Sequence, residues 1–192
     1  MPPIPPFSSD GLLPPYLGAS PGEPSGLMSP YKVSITEVVA HFATSPERIA
    51  ILKGFLSYRA DLHAFGLVSG FQWVDGSFVE RVDAVRPPRD LDLVTFFERP
   101  VSMASPTAFD ASVAGALHLF SKPLAKPRYL CDVHFVDLSQ PGAHVVGQTR
   151  YWFGLFSHKR STFQWKGMLE VPLGTLADDA NAAKILNQGA SP

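Results

Sequence analysis

The sequence lacks several features that would define its class at once. Its 192 residues include a single cysteine, Cys131, so no intramolecular disulfide and no zinc site built from several cysteines can form. No apolar run reaches the roughly 20 residues that a membrane-spanning helix needs. The N-terminus also lacks the basic start and apolar stretch of a signal peptide. We therefore expect a cytoplasmic protein with no membrane partner.

Charge is also scarce. Charged residues make up 17% of the chain and the formal net charge is −1, whereas average soluble domains contain about 25% charged residues. A protein that coats nucleic acid through bulk electrostatics would need a strongly basic domain. Any contact with a nucleotide or an RNA must therefore come from a local basic patch.

Proline, by contrast, is abundant. The chain contains 19 prolines, roughly twice the usual usage of ~5%, and many lie near the N-terminus, as in Pro5-Pro6 and Pro14-Pro15. Such a segment favours extended backbone over helix. We interpret residues 1–30 as an extended Pro/Gly/Ser-rich arm and residues 31–192 as one folded domain.

Capping residues and hydrophobic periodicity predict alternating helices and strands in that domain. A first strong helix follows Ser45, a typical N-cap, and ends at Gly66, a typical C-cap. Further helices are predicted from residue 105, over 145–156 and over 175–187, and strands over 71–74, 91–97, 129–138 and 168–172. The pattern predicts an α/β or α+β fold with helices packed on one small mixed sheet.

Two acids stand at alternate positions at the start of the second predicted strand. Alternation places Asp90 and Asp92 on one face, where two ionised carboxylates repel each other unless a cation lies between them. Mg²⁺ (or Mn²⁺) prefers such oxygen ligands. The alternative interpretation is a pair of surface aspartates at the exposed start of a strand.

Two further features favour a site. Gly76-Ser77 follows an apolar strand, and there a glycine permits close backbone approach while a serine offers a hydroxyl and an N–H to a phosphate oxygen. Asp132 stands in an apolar strand and shares a face with His134. A third carboxylate facing the first two would complete a two-metal site; the alternative is an edge strand with a polar outer face.

These motifs, in residues 73–79 and 89–94, resemble the nucleotidyltransferase superfamily of the polymerase-beta type. The wider chain, from about residue 4 to about residue 173, is similar to a bacterial family of small, uncharacterised nucleotidyltransferase-like proteins. Haloacid-dehalogenase-type phosphatases and many glycosyltransferases place Asp-x-Asp at the end of an apolar strand. Here Asp90 and Asp92 open the strand, which disfavours both.

The resemblance implies the roles of individual residues. Asp90, Asp92 and Asp132 would be the catalytic acids and the ligands of Mg²⁺ or Mn²⁺, with Asp132 as the base toward the acceptor hydroxyl. Gly76 and Ser77 would hold the triphosphate of ATP or another nucleoside triphosphate. The reaction implied is the transfer of a nucleoside monophosphate to a hydroxyl of a protein, an RNA or a small molecule.

The resemblance also associates such small proteins with toxin–antitoxin or phage-defence systems, and it leaves room for a protein partner or a homo-oligomer. The competing hypothesis is a non-catalytic binding or antitoxin-like module with the same fold, acting through a partner protein.

Basic and aromatic residues near these motifs carry weaker predictions. Arg89 and Lys166 are candidate nucleotide-binding cations, although Arg89 could instead neutralise the acids and residues 158–160 could be a solvated basic loop. Cys131 is expected to be an inert core thiol. Tyr151, Trp152 and Phe156 are expected to be core residues more readily than a platform for a nucleobase.

Overall fold

The computed structural model describes residues 4–18, 28–82 and 86–188. The strands are β1 (Tyr31–Lys32), β2 (Gly70–Asp75), β3 (Leu91–Phe97), β4 (Cys131–Asp137) and β5 (Leu169–Pro172). The helices are α1 (Ile35–Phe42), α2 (Pro46–Phe65), α3 (Pro106–Ala114), α4 (Leu117–Phe120), α5 (Lys122–Tyr129), α6 (Gly142–Phe156) and α7 (Leu176–Gln188). None of these helices is long and apolar enough to cross a membrane.

The predicted capping of α2 is confirmed. The side chain of Ser45 accepts a hydrogen bond from the backbone N–H of Arg48, and Gly66 ends the helix in the left-handed conformation at φ 105°. The sequence reading did not include α1, although Ser34 and Glu37 form a complete capping box at its start.

The strands form one mixed sheet in the order β1-β5-β2-β3-β4. Strand β2 is antiparallel to both of its neighbours, whereas β3 runs parallel to β4. The predicted α+β fold, with helices packed on a small mixed sheet, is confirmed.

The two faces of the sheet are covered differently. One face carries Leu93 and Val133 and packs against α1, α2, α5 and α7 in the main core. The other face carries Trp73 and Val94 and packs against α6 in a smaller cluster. On this second face the smaller cluster covers β3 from Val94 onward, so the start of the strand is less covered there.

The described part of the proline-rich arm packs on the domain. Leu12 and Leu13 are buried, and the carbonyl oxygen of Leu13 accepts a hydrogen bond from the N–H of Gly167 at 2.7 Å. The hydroxyl of Tyr31 donates to the carbonyl oxygen of Pro14 at 2.8 Å. Residues 1–3 and 19–27 of the predicted arm lie outside the described residues.

Candidate functional site

Three aspartates stand side by side across three neighbouring strands. Asp75 at the end of β2 pairs with Asp92 of β3, and Asp92 pairs with Asp132 of β4. Residues directly opposite each other in a sheet project from the same face, so the three carboxylates form one row, which we call the acidic row. Asp90 comes two residues before Asp92 and adds a fourth carboxylate on that side. The structure thus brings Asp90, Asp92 and Asp132 together, as the sequence predicted.

Gly76 makes the central position of the acidic row possible. Its φ of 84° lies in a region that L side chains rarely adopt, and a Cβ there would meet Oδ2 of Asp92 at 2.0 Å. Ser77 follows at the start of a 3₁₀ turn, Ser77–Val79. The glycine is therefore needed first for the approach of the Asp92 carboxylate, a role that the motif alone did not indicate.

Asp92 is the acid of the row that forms no ion pair with a described residue, whereas Asp75 and Asp132 are paired with lysines. Burial raises its pKa, and repulsion from the carboxylates of Asp90 and Asp132 raises it further, while Arg160 and Lys166 act in the opposite direction. No hydrogen bond from a described residue contributes to this balance. A carboxylate crowded by like charges and without its own cation is a place where an added cation would be stabilised.

Two lysines of α5 neutralise the flanking acids, and the sequence reading identified neither. Nζ of Lys126 contacts Asp90 and lies 3.6 Å from Oδ2 of Asp132. Nζ of Lys122 lies 2.5 Å from the same oxygen of Asp132. Arg89 is exposed, so the neutralising role considered for it belongs to Lys126.

The reason for this omission is local. Residues 129–138 were predicted as strand, but α5 continues to Tyr129, and Leu130 ends it in the left-handed conformation at φ 55°. Pro123 lies in the first turn of the helix, where proline is tolerated, but Pro127 lies inside it and is an unfavourable signal for a helix interior. Its lysines, spaced by four residues, nevertheless project to one side.

Asp132, predicted as a metal ligand and as the base toward the acceptor hydroxyl, is buried. It is 6% exposed and does not line the open cleft described below. Its Oδ1 lies 3.3 Å from Nε2 of His134 but has no well-aligned hydrogen-bond partner among the described residues. Burial lowers the pKa of His134, although Asp132 opposes this shift, so the ring is neutral at physiological pH. It packs against Trp152 in a tilted arrangement, with the ring centroids 4.2 Å apart.

A buried ion-pair group adjoins the acidic row. Nζ of Lys166 lies 3.0 Å from Oδ1 of Asp75 and 2.9 Å from Oε1 of Glu80, and the lysine is 4% exposed. Burial alone would lower the pKa of Lys166, but the two carboxylates raise it, so the lysine stays charged. Lys166, predicted as a phosphate contact, is thus already paired twice.

Asp75 is the functional candidate that the sequence reading did not assign. Burial raises its pKa from 3.8 to about 7, against the opposing attraction of Lys166 and a backbone hydrogen bond at Gly76. The sequence signal that could have identified Asp75 is its position, as an acid, directly after the predicted strand at residues 71–74.

An open cleft of about 730 Å³ lies over this edge of the sheet. Its lining includes the acids Asp75, Glu80, Asp90 and Asp92 together with Gly76, Ser77 and Lys166. Its lining also includes Arg81, Arg86, Arg89, His158, Lys159 and Arg160. The loop at 158–160, considered as a solvated basic loop, therefore faces a cavity that also contains the Gly-Ser motif and the Asp-x-Asp motif.

The carboxylates at the cleft suit a hard cation whose remaining ligands come from water or a substrate. Within the described residues, no three His, Cys, Asp or Glu side chains are grouped so that they alone could hold a metal ion. Asp90 and Asp92 both face the cleft, and two carboxylates completed by water and substrate phosphates is a usual arrangement for Mg²⁺. Asp92, which forms no ion pair with a described residue, fits that arrangement.

The remaining predictions concern the core. Cys131 projects from the opposite face and is buried, and burial raises the pKa of its thiol well above the usual range. Trp152 and Phe156 are core residues, as expected, whereas Tyr151 is 60% exposed. Cys131 therefore takes no part in the site.

Residues 5–172 match a family described as a family of unknown function, DUF6932, and the chain belongs to that family. No curated protein matches the chain, and no solved structure does. The resemblance to nucleotidyltransferases therefore stays a prediction that the geometry of the site has to support.

Proposed function

We propose that this member of the DUF6932 family is a metal-dependent nucleotidyltransferase, which transfers a nucleoside monophosphate from a nucleoside triphosphate to a hydroxyl. The observation that carries the proposal is the carboxylate of Asp92, which has no ion-pair partner among the described residues and is crowded by Asp90 and Asp132 at the wall of an open cleft. Such crowding is costly for a protein and is relieved when a cation binds.

The charge distribution of the cleft supports the same substrate. A triphosphate that carries a divalent cation presents a positive centre and several negative oxygens. The cleft is lined both by carboxylates and by basic side chains that include Arg86, Arg89 and Arg160. Its volume of about 730 Å³ lies in the usual range for small-molecule sites.

In the proposed mechanism, Asp90 and Asp92 would hold Mg²⁺ or Mn²⁺, which neutralises phosphate charge and polarises the reacting phosphoryl group when bound. The hydroxyl and N–H of Ser77 bind non-bridging phosphate oxygens, and Arg160 neutralises the leaving group. The acceptor oxygen forms a bond to the α-phosphorus while the bond from that phosphorus to pyrophosphate breaks. The electron pair leaves with pyrophosphate. The hydroxyl proton passes to water in the open cleft, because Asp132, the base that the resemblance implied, does not line the cleft and is paired with Lys122.

The test is pyrophosphate release from each γ-labelled nucleoside triphosphate with Mg²⁺ or Mn²⁺. We expect the double substitution Asp90→Asn/Asp92→Asn to lower the rate at least about 100-fold, the size of loss typical when preorganised electrostatic stabilisation is removed. Asp110→Asn is the matched control, because Asp110 is exposed on α3. Release that survives the double substitution would show that these acids do not carry the reaction.

A second candidate follows from the two lysines of α5. Because Lys122 and Lys126 already neutralise Asp132 and Asp90, the same fold could act without a metal, as a binding or antitoxin-like module that works through a partner protein. Calorimetric titration with Mg²⁺ and Mn²⁺ separates the two candidates. Absence of both metal binding and pyrophosphate release would favour the binding module.

A further inference from the structure

A second, smaller hollow adjoins the cleft. Its volume is about 340 Å³, and it is lined by Gly154, Leu155, His158, Arg160 and Phe163. Leu155, His158 and Arg160 also line the cleft, so the two cavities share a wall. The residues that line the hollow but not the cleft are Phe163, which adds an apolar surface, and Gly154, which adds exposed backbone.

The hollow is bordered by a loop, residues 157–166, that is closed by its own hydrogen bonds. The N–H of Lys159 donates to the carbonyl oxygen of Gln164 at 2.9 Å, and the N–H of Lys166 donates to that of Ser157 at 2.8 Å. His158 and Trp165 form an isolated β-bridge between these two bonds. The loop is therefore preformed.

The loop is also anchored at its base. The ring of Trp165 packs 5.8 Å from that of Tyr16, and Gln164 donates to Oδ2 of Asp10 at 2.6 Å. The buried Lys166 fixes the C-terminal end of the loop to the acidic row through Asp75. These contacts connect the position of the loop to the position of the acids.

Phe163 is the unusual residue of this loop. Its side chain is 82% exposed, and its φ of 55° is uncommon for a bulky residue. The N–H of Phe163 donates to the carbonyl oxygen of Lys159 at 2.8 Å, which fixes this backbone conformation. A strained turn thus holds a large apolar ring in solvent at the hollow, next to the cleft with its charged lining.

Arg160 connects the hollow to the acidic row. It lines both cavities. Its positive charge lowers the pKa of Asp92, against the upward shift caused by burial and the neighbouring acids, and it also lowers the pKa of His134. Its guanidinium is therefore close enough to the acids to interact with a phosphate bound there, and close enough to the hollow to contact what lies beyond the phosphate.

We propose that the hollow binds the nucleobase of the nucleoside triphosphate, with the base stacked on Phe163 and the phosphates directed past Arg160 toward Ser77. This inference rests on the proposed function and adds the place of the base to it. A nucleotide joins a flat apolar ring to a polyanion, and the hollow and cleft together present an aromatic surface followed by a basic wall. Stacking on an aromatic ring accepts every base, because each base has a π-face.

The test compares two ligands in the presence of Mg²⁺ by calorimetry. The first ligand is a nucleoside triphosphate analogue with a methylene group between the α- and β-phosphorus atoms, which cannot be cleaved there. The second is inorganic tripolyphosphate, which has the same phosphate chain without a base. The tripolyphosphate measurement tests the phosphate cleft separately from the base.

Phe163→Asn is the informative variant, since asparagine tolerates the left-handed backbone and removes the ring. We expect it to weaken binding of the nucleotide analogue by about 5- to 30-fold, the lower part of the range for loss of one base–aromatic stack, and to leave tripolyphosphate binding unchanged. Phe163→Tyr should restore nucleotide binding. Val101→Asn is the control, because Val101 is 96% exposed and lines neither cavity.

Unchanged binding of the nucleotide analogue in Phe163→Asn would overturn the proposal, as would an equal loss for tripolyphosphate. If the unsubstituted protein binds both ligands equally well, the base site is refuted while the phosphate cleft stands. If it binds neither ligand, the proposed function fails together with this inference.

Discussion

Asp75 makes a quantitative prediction about stability and pH. Burial raises the pKa of this carboxyl from 3.8 to about 7 in the folded protein, whereas the unfolded chain exposes it to water. Between these two values the folded state keeps a proton that the unfolded state has lost. The contribution of Asp75 to stability is therefore fully present below pH 3.8, falls as the pH rises, and levels off above about pH 7.

The magnitude follows from the two pKa values. Each pH unit between them costs about 1.4 kcal/mol, so the rise from pH 5 to pH 8 should lower the free energy of unfolding by about 3 kcal/mol through Asp75 alone. In Asp75→Asn this dependence disappears. Lys166 keeps its pair with Glu80 at 2.9 Å, and the variant should therefore gain stability over the original protein as the pH rises.

The assay is urea unfolding followed by circular dichroism at several pH values from 5 to 8. The relevant quantity is the difference in unfolding free energy between Asp75→Asn and the original protein. Burial lowers the pKa values of His41 and His134, so their protonation destabilises both proteins equally at acid pH and cancels in this difference. Asp110→Asn, an exposed replacement, serves as the control and should give no pH-dependent difference. Stability curves of Asp75→Asn and the original protein that run parallel from pH 5 to 8 would refute the reasoning.

Two further predictions concern the site. Gly76→Ala should lower stability in thermal unfolding by more than about 1 kcal/mol and abolish pyrophosphate release, because its Cβ would meet Oδ2 of Asp92 at 2.0 Å. Gly147→Ala on α6 is the control: a Cβ there has nothing within 4 Å, so this variant should be neutral or stabilising by up to about 1 kcal/mol. Lys126→Met should tighten Mn²⁺ binding several-fold in calorimetry, since it removes an ammonium group that competes with the metal for the carboxylate of Asp90. Lys32→Met, at a 75% exposed side chain, is the control, and unchanged affinity in Lys126→Met would exclude competition.

The sequence alone determined the elements whose signals are local. Strand β3 was predicted at its observed bounds because its apolar run is bounded by polar residues, and α2 because Ser45 and Gly66 cap it. The placement of Asp90 and Asp92 on one face follows from the period of two in a strand. These features depend on neighbours within a few residues, so a single sequence contains them.

Only the tertiary structure decided which distant groups meet. The register of β2 against β3 placed Asp75 beside Asp92, and the packing of α5 brought Lys126 to the acids. Neither contact leaves a local pattern, since strand register is set by the burial of whole faces and the prolines of α5 obscure its helix. The sequence supplied the carboxylates of the site. The fold determined that lysines neutralise Asp90 and Asp132, whereas Asp92 forms no ion pair within the described part of the chain.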